Sequence, residues 1–322
     1  MARARPVPPT RADVLDAASR IAGLVRPVTV VDSPRLGQSA VLAVETLQPT
    51  GSFKVRGALT ALMPLASGTR VVAASAGNHA LAIAHAAAVL ELEATVVVPE
   101  SVEPAKLAAL GDYDVKVIKY GASYDTAERH ALKLASKDGR FISAYNDRLV
   151  VAGQGTLAVE ILKRIEGSMT LLCPVGGGGL LCGVGLWATQ RSGTRVIGVG
   201  AENSPAMSTA FEAGEVKKVK PKESIADSLV GNLEEGSITV DLAKRYVESI
   251  ISVTEKQIEA GIRYLGTQHG LIVEGAGAVA AAAVLANKVD FGSSRPVVLV
   301  TGRNVSPQAT AKVLRTRGRS AA

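Results

Sequence analysis

A lone lysine, a run of glycines, an Asn-His pair and a threonine sit at turn-like points of this chain, and their types define the chemistry open to it. Lys54 lies in PTGSFKVRG, a stretch without acidic groups, between Phe53 and a small apolar run. An ordinary lysine is a solvated ammonium; one held neutral is a nucleophile towards carbonyl groups. Gly176, Gly177, Gly178 and Gly179 separate an apolar strand-like run from an apolar helix-like run in TLLCPVGGGGLLCGVGLW. Consecutive glycines cost roughly 1 kcal/mol each in backbone entropy, so here the backbone must approach something closely. A phosphate fits, because glycine N–H groups can converge on its oxygens at a helix N-terminus. SAGNHA (75 to 80) places Ser75, Asn78 and His79 on a loop that opens a helix and offers N–H groups and an amide to an anion. Taken alone, that loop is more simply read as a helix cap by Ser75 or Asn78. TGRN (301 to 304) ends the last strand-like run on a hydroxyl, Thr301.

The elements that must position these groups follow from the hydrophobic pattern. Strand-like runs occupy 41 to 45, 71 to 75, 94 to 99, 115 to 120, 170 to 175, 195 to 202, 249 to 253 and 296 to 302. Between most of them lie helix-length Ala- and Leu-rich segments such as GNHALAIAHAAAVLEL, GTLAVEILKRI and EKQIEAGIRYL. This alternation predicts βαβ units, a mostly parallel sheet and an α/β class. Ligands in such sheets sit beyond the carboxyl ends of strands, and SAGNHA, the glycine run and TGRN each follow a strand-like run. At 322 residues the chain exceeds the usual single compact domain, which predicts two lobes.

Composition removes several function classes. Hydrophobic residues make up 47% and aromatics 3%, so the core is aliphatic and little aromatic surface remains to stack on nucleic-acid bases. The net charge of +7 matches Arg3, Arg5, Arg11, Lys312, Arg315, Arg317 and Arg319 at the two ends, and KKVKPK (217 to 222) reads as a solvated loop. Nucleic acid is therefore not the expected partner, whereas small anionic ligands suit a basic balance. No apolar run of ~18 uncharged residues predicts a membrane span. MARARPVPPT lacks the apolar core of a secretory signal and reads as a short disordered lead. Cys173 and Cys182 have neither CxxC spacing nor a disulfide framework, as expected of reduced, buried thiols in the cytoplasm. GAGAVA (275 to 280) fits a GxGxxA pattern with Asp290 downstream, but too short an interval separates them for a dinucleotide fingerprint. Tight helix packing is the expected use of its small residues.

Taken in order, PTGSFKVRGA, SAGNHA, VAGQGT (151 to 156), PVGGGGL and the terminal TGRN resemble the fold-type II, tryptophan synthase β-like pyridoxal-phosphate enzymes. The resemblance spans roughly residues 30 to 305 and is to the serine/threonine dehydratase and serine racemase branch. It implies two open parallel sheets flanked by helices: a large lobe from residues 1–64 and 148–322 that binds pyridoxal 5'-phosphate, and a small lobe, 65–147, inserted between them. It also implies that Lys54 forms the Schiff base with the cofactor, Phe53 lies against the pyridine ring and Asn78 bonds the phenolate oxygen. Gly176, Gly177, Gly178 and Gly179 hold the phosphate, Ser75, Asn78 and His79 face the substrate carboxylate, and Thr301 meets the pyridine nitrogen. A homodimer is expected by the same analogy.

The implied activity is α,β-elimination on L-threonine or L-serine. Lys54, displaced by the incoming amino acid, takes the Cα proton while the cofactor spreads the negative charge. The cofactor phosphate is a plausible proton donor to the departing β-hydroxyl, and hydrolysis then gives a 2-oxo acid and ammonia. A neutral Thr301 favours elimination over transamination. Ala76 stands where racemases carry a second Ser, the acid on the opposite face of Cα, so weak racemisation is expected. The terminal motif departs from Ser-Gly-Gly-Asn, with Thr301 and Arg303 in place of the Ser and second Gly; Arg303 either alters ring electronics or points outward. Glu202 falls where some relatives bind a divalent cation, but Ser208 replaces the second acid, so no metal is expected. No carboxy-terminal regulatory domain of the isoleucine-feedback type is expected after the last motif. Competing readings are elimination, replacement or racemisation on another β-substituted amino acid, a nucleotide-binding oxidoreductase using GAGAVA, and a non-catalytic cofactor-binding protein.

Overall fold

The computed structural model describes residues 5–37 and 39–315; Arg3, Arg317, Arg319 and the first four residues of the amino-terminal lead lie outside them. In chain order the elements begin with α1 (Arg11–Arg20), β1 (Thr29–Asp32), β2 (Val41–Val44) and α2 (Lys54–Leu62). Then follow β3 (Arg70–Ala74), α3 (Asn78–Val89), β4 (Ala94–Val98), α4 (Pro104–Leu110), β5 (Lys116–Lys119), α5 (Tyr124–Asp138) and β6 (Gly139–Phe141). The chain continues through α6 (Arg148–Arg164), β7 (Met169–Pro174), α7 (Gly179–Ala188), β8 (Thr194–Ala201), α8 (Ala206–Ala213) and α9 (Ile238–Tyr246). It ends with β9 (Ser249–Val253), α10 (Glu255–His269), α11 (Gly275–Leu285), β10 (Arg295–Val300) and α12 (Pro307–Arg315).

The strands form two sheets, ordered β1-β2-β10-β7-β8-β9 and β5-β4-β3-β6. Every pairing is parallel except β1 with β2. That short antiparallel edge strand and the three-residue β6 escape the sequence pattern, since neither is long enough to show a period. Strand alternation sorts the larger sheet into two cores. Val41, Ala43, Leu171, Cys173, Val297 and Leu299 face one layer with residues of α6, α7 and α9. Leu42, Val44, Leu172, Val298 and Val300 face the other, with α10 and α11. Burial on both faces explains why these strands read as continuous apolar runs. The smaller sheet repeats the plan: Val71 and Ala73 pack on α2 and α3, while Val72 and Ala74 pack on α5.

One helix starts well before its expected beginning. The segment expected at 155 to 165 begins earlier, at Arg148, where Asp147 caps it by accepting the N–H groups of Leu149 and Val150. The glycines of VAGQGT therefore lie inside α6. There Gly153 lets the backbone of α2 approach; a Cβ would stand 2.6 Å from the Arg56 carbonyl oxygen. Small residues serve α11 likewise, and GAGAVA opens this buried helix, so its glycines are packing positions. KKVKPK lies in a largely exposed loop, and Cys173 and Cys182 are free and buried.

Arg56 anchors α2 to the rest of the large layer. Its fully buried guanidinium donates from Nε to Glu45 Oε2 at 2.7 Å, from Nη2 to Glu45 Oε1 at 2.8 Å and from Nη1 to Glu160 Oε1 at 2.6 Å. These bonds tie the helix that starts at Lys54 to the end of β2 and to α6. Glu45 is itself fully buried, so removing its partner strands a charge. Arg56→Met is expected to destabilise the protein by about 3–5 kcal/mol in urea denaturation.

Candidate active site

Lys54 is the first residue of α2, and its helix is entered through a zipped pair of turns. The Phe53 N–H donates to the Thr301 carbonyl at 3.0 Å and the Arg303 N–H to the Gly51 carbonyl at 3.0 Å. Ser52 pairs with Gly302 in an antiparallel bridge, and Asn304 Nδ2 donates to the Thr50 carbonyl at 2.8 Å. PTGSFK and TGRN, distant in sequence, are thus one structural unit. Arg303 is exposed within it.

The Lys54 side chain is half-buried. Nζ donates to the Ala144 carbonyl at 2.9 Å and lies 5.3 Å from the centroid of the Phe53 ring. Burial lowers its pKa to about 8, against a smaller upward pull from Glu274. Roughly a tenth of the amine is then neutral at pH 7, a fraction a solvated lysine never reaches.

Ala144 belongs to a loop that also supports the glycine run. Ser143 Oγ and Asn146 Nδ2 donate to the two carboxylate oxygens of Glu234, at 2.5 and 2.9 Å. The Glu234 N–H donates to Tyr145 Oη at 2.7 Å. The Tyr145 ring lies flush against Gly177, where a Cβ would collide with it, and the Tyr145 backbone abuts Gly179. Gly178, at φ +90°, turns the chain into α7. Among the described residues no backbone acceptor meets the N–H groups of Gly176, Gly177, Gly178 or Gly179. One loop therefore brings a neutralisable amine and a helix N-terminus with free donors together.

SAGNHA supplies a second such terminus. The N-cap of α3 is Gly77, neither Ser75 nor Asn78, and the Ser75 hydroxyl accepts the Gly77 N–H at 3.2 Å. His79 Nε2 meets the Ile142 carbonyl at 3.0 Å, so its ring is committed there as a neutral donor. Burial and then Lys54 lower its pKa to about 3, opposed by that bond. What this loop offers an anion is the backbone N–H groups of the first turn of α3 rather than the imidazole. Asn78 donates from Nδ2 to Glu274 Oε1 at 2.6 Å and accepts from Asn304 Nδ2 at 2.6 Å. Sequence reasoning named neither Glu274 nor Asn304 as functional. Glu274 immediately precedes GAGAVA and Asn304 closes TGRN, so one was hidden beside and the other inside a motif read for another reason. Thr301 is buried at the end of β10, and the Ser52 hydroxyl beside it is fully buried with no protein partner.

No group of three or more His, Cys, Asp or Glu residues is arranged for a metal among the described residues. Glu202 is exposed and the Ser208 hydroxyl donates to the Pro205 carbonyl at 3.0 Å. No helix among the described residues is long and apolar enough to cross a membrane.

A family model described as pyridoxal-phosphate dependent enzyme matches residues 21–302. The chain belongs to the pyridoxal-phosphate dependent enzymes. It is 37% identical to the L-threonine ammonia-lyase of Thermotoga maritima over 84% of this chain and 68% of the relative. It is 33% identical to the catabolic L-threonine dehydratase of Escherichia coli K12 over 91% and 92% of the respective chains. Maize serine racemase superposes with a TM-score of 0.88 at 25% identity, covering 95% of this chain and 97% of that one. A T.th. threonine deaminase gives 0.83 at 32% identity, covering 92% and 99%. The mixed α/β architecture expected from the sequence, parallel sheets flanked by helices, is that of these enzymes.

The cofactor of this family fits the residues present. An aldehyde needs an amine that is neutral part of the time, a phosphate needs free N–H donors at a helix start, and a ring needs an apolar face with a polar rim. Lys54, the glycine run, Phe53 and the Asn78–Thr301 pair meet those needs, and the Ser52 hydroxyl marks a polar spot that no protein group satisfies. In apoprotein, the reaction of Lys54 with an amine-directed reagent is expected to titrate with a midpoint near pH 8, rather than near the ordinary 10.5. Peptide mass mapping of the modified fraction across pH measures it.

Proposed function

We propose that the protein dehydrates and deaminates L-threonine, L-serine or both, giving a 2-oxo acid and ammonia. The Lys54 amine, set beside an N–H cradle by one shared loop, carries the reading, and the named relatives support the substrate class. Pyridoxal phosphate, when bound, supplies an aldehyde for amino groups and a conjugated ring that accommodates negative charge from Cα. Lys54 Nζ would hold the cofactor and, once released, take the Cα proton. Burial suits it to that work by keeping its pKa close to neutral pH. The electron pair of the broken Cα–H bond becomes the Cα=Cβ bond as the Cβ–O bond breaks, and the departing hydroxyl takes up a proton from a general acid, so that in the net step the Cα proton and the hydroxyl are lost as water. Hydrolysis of the resulting enamine yields the oxo acid and ammonia.

The remaining roles follow from donors. Gly176, Gly177, Gly178 and Gly179 would bind the cofactor phosphate through N–H groups at the start of α7. Ser75, Asn78 and His79 lie where the first-turn N–H groups of α3 would bind the substrate carboxylate, and Asn78 would also donate to the ring oxygen. Phe53 would cover one ring face. Thr301 would meet the ring nitrogen with a neutral hydroxyl, which does not hold a proton there as a carboxylate would. Ala76 has no proton to offer the opposite face of Cα, so elimination outpaces racemisation.

The same reading divides the chain into a large cofactor-binding lobe, 1–64 and 148–322, and a small inserted lobe, 65–147. It makes the protein a cytoplasmic homodimer, which sedimentation of the purified protein addresses. Protein saturated with pyridoxal phosphate is expected to absorb in the violet, and borohydride to fix a pyridoxyl group on the peptide containing Lys54. A panel of β-substituted amino acids should release oxo acid fastest from L-threonine or L-serine, and Lys54→Ala should abolish release. Efficient conversion of L-serine to D-serine would overturn the assignment to elimination.

A further inference from the structure

The roles above leave Glu274 without one, although its carboxyl group is buried and bonded to Asn78. It is the N-cap residue of α11, with 5% of its surface exposed, yet its side chain makes no capping bond there. Burial raises its pKa to about 8; the bond from Asn78 opposes that rise, Asp227 adds to it, and Lys106 and Lys54 offset it. Its backbone is pinned at both ends. The Glu274 N–H donates to the Gly302 carbonyl at 3.1 Å, and its own carbonyl accepts the Gly277 N–H at 3.0 Å. Its carboxylate lies against the Gly302 backbone so closely that a Cβ on Gly302 would collide with Oε1.

A side-chain amide has one acceptor oxygen and two N–H donors. In Asn78 the oxygen receives Asn304 Nδ2 and one N–H goes to Glu274, which leaves a single N–H uncommitted. Flipping the amide would oppose its oxygen to the Glu274 oxygen and its NH2 to that of Asn304. Asn304 Nδ2, itself fixed by the Thr50 carbonyl, selects the first orientation, and an ionised Glu274 selects the same one. Asn304 is held in turn by the Thr50 carbonyl, so the selection is referred back to the turn before Lys54.

We propose that Glu274 is a positioning residue of the cofactor site, which with Asn304 fixes the Asn78 amide and aims its one free N–H at the ring oxygen of pyridoxal phosphate. This rests on the functional reading that the cofactor occupies this site.

The test compares wild type with Glu274→Gln, Glu274→Ala, Asn78→Ala and the Glu274→Ala/Asn78→Ala double variant. The readouts are thermal unfolding, the dissociation constant for pyridoxal phosphate and the pH titration of the visible cofactor band. The charged groups facing Glu274 are Lys54 from α2, Lys106 from α4 and Asp227 from a 3-10 turn (Asp227–Leu229). Glu274→Ala is expected to weaken cofactor binding roughly tenfold, as loss of an orienting outer partner does at other sites. Asn78→Ala should lose a similar factor, and the double variant little more, since the two act through one bond. Glu274→Gln should keep the cofactor but shift the pH titration of the band. A Glu274→Ala protein with the wild-type dissociation constant and band, or a double variant whose losses multiply, overturns the proposal. Should Glu274→Ala fail to fold, Glu274→Asp withdraws the carboxylate from Asn78 by one methylene, and an unchanged band and titration there overturn it equally. A wild-type protein that gives no visible band with pyridoxal phosphate sinks the functional reading instead.

Discussion

The desolvation of one amine is the constraint on which the rest of the architecture depends. A charged lysine resists burial, and here the fold imposes it by starting a buried helix at Lys54 and covering the amine with the Ala144 loop. The carbonyl it meets accepts a hydrogen bond without supplying a counter-charge, so the protonated form is left under-stabilised. Holding such a group needs a rigid support. Arg56, two positions on, provides it from the other side of the helix through two carboxylates. The helix carries a weakened ammonium on one face and a fully compensated guanidinium on another.

Around that amine the two sheets act as a frame for helix starts. α3 leaves the carboxyl end of β3 in the small sheet, and α7 leaves the carboxyl end of β7 in the large one, each opening on glycine with no side-chain cap. Five helices receive one, from Thr10, Ser123, Asp147, Ser237 and Thr254, each of which accepts N–H groups at a helix start. Leaving α3 and α7 uncapped leaves donors for anions that the protein does not itself contain. A glycine start at the carboxyl end of a parallel strand marks the site as clearly as its chemistry does.

Much of this was legible in the sequence because the features are local. The lysine in its turn, the glycine run and the two loops at strand ends announce themselves by composition, and the strands show because both faces are buried. What stayed hidden depends on distance. Glu274 reads as one acid before a small-residue helix until folding sets it on Asn78, and the role of Asn304 exists only once the two turns zip together. His79 looked like a ligand for substrate, yet its ring is spent on Ile142, a pairing no spacing rule contains. Gly153 of VAGQGT was legible as part of a motif but not as a contact, since the helix it lets approach lies about a hundred residues earlier in the chain.

α11 shows what such packing does for precision. A helix of Gly, Ala, Val and one Leu packs against the sheet with almost no side chain between backbones, so its axis has little room to slide or rotate. The residue at its start inherits that immobility. A carboxyl group mounted at the start of such a closely packed helix has its backbone set by the helix as well as by its own hydrogen bonds, and that double restraint gives it reproducible aim.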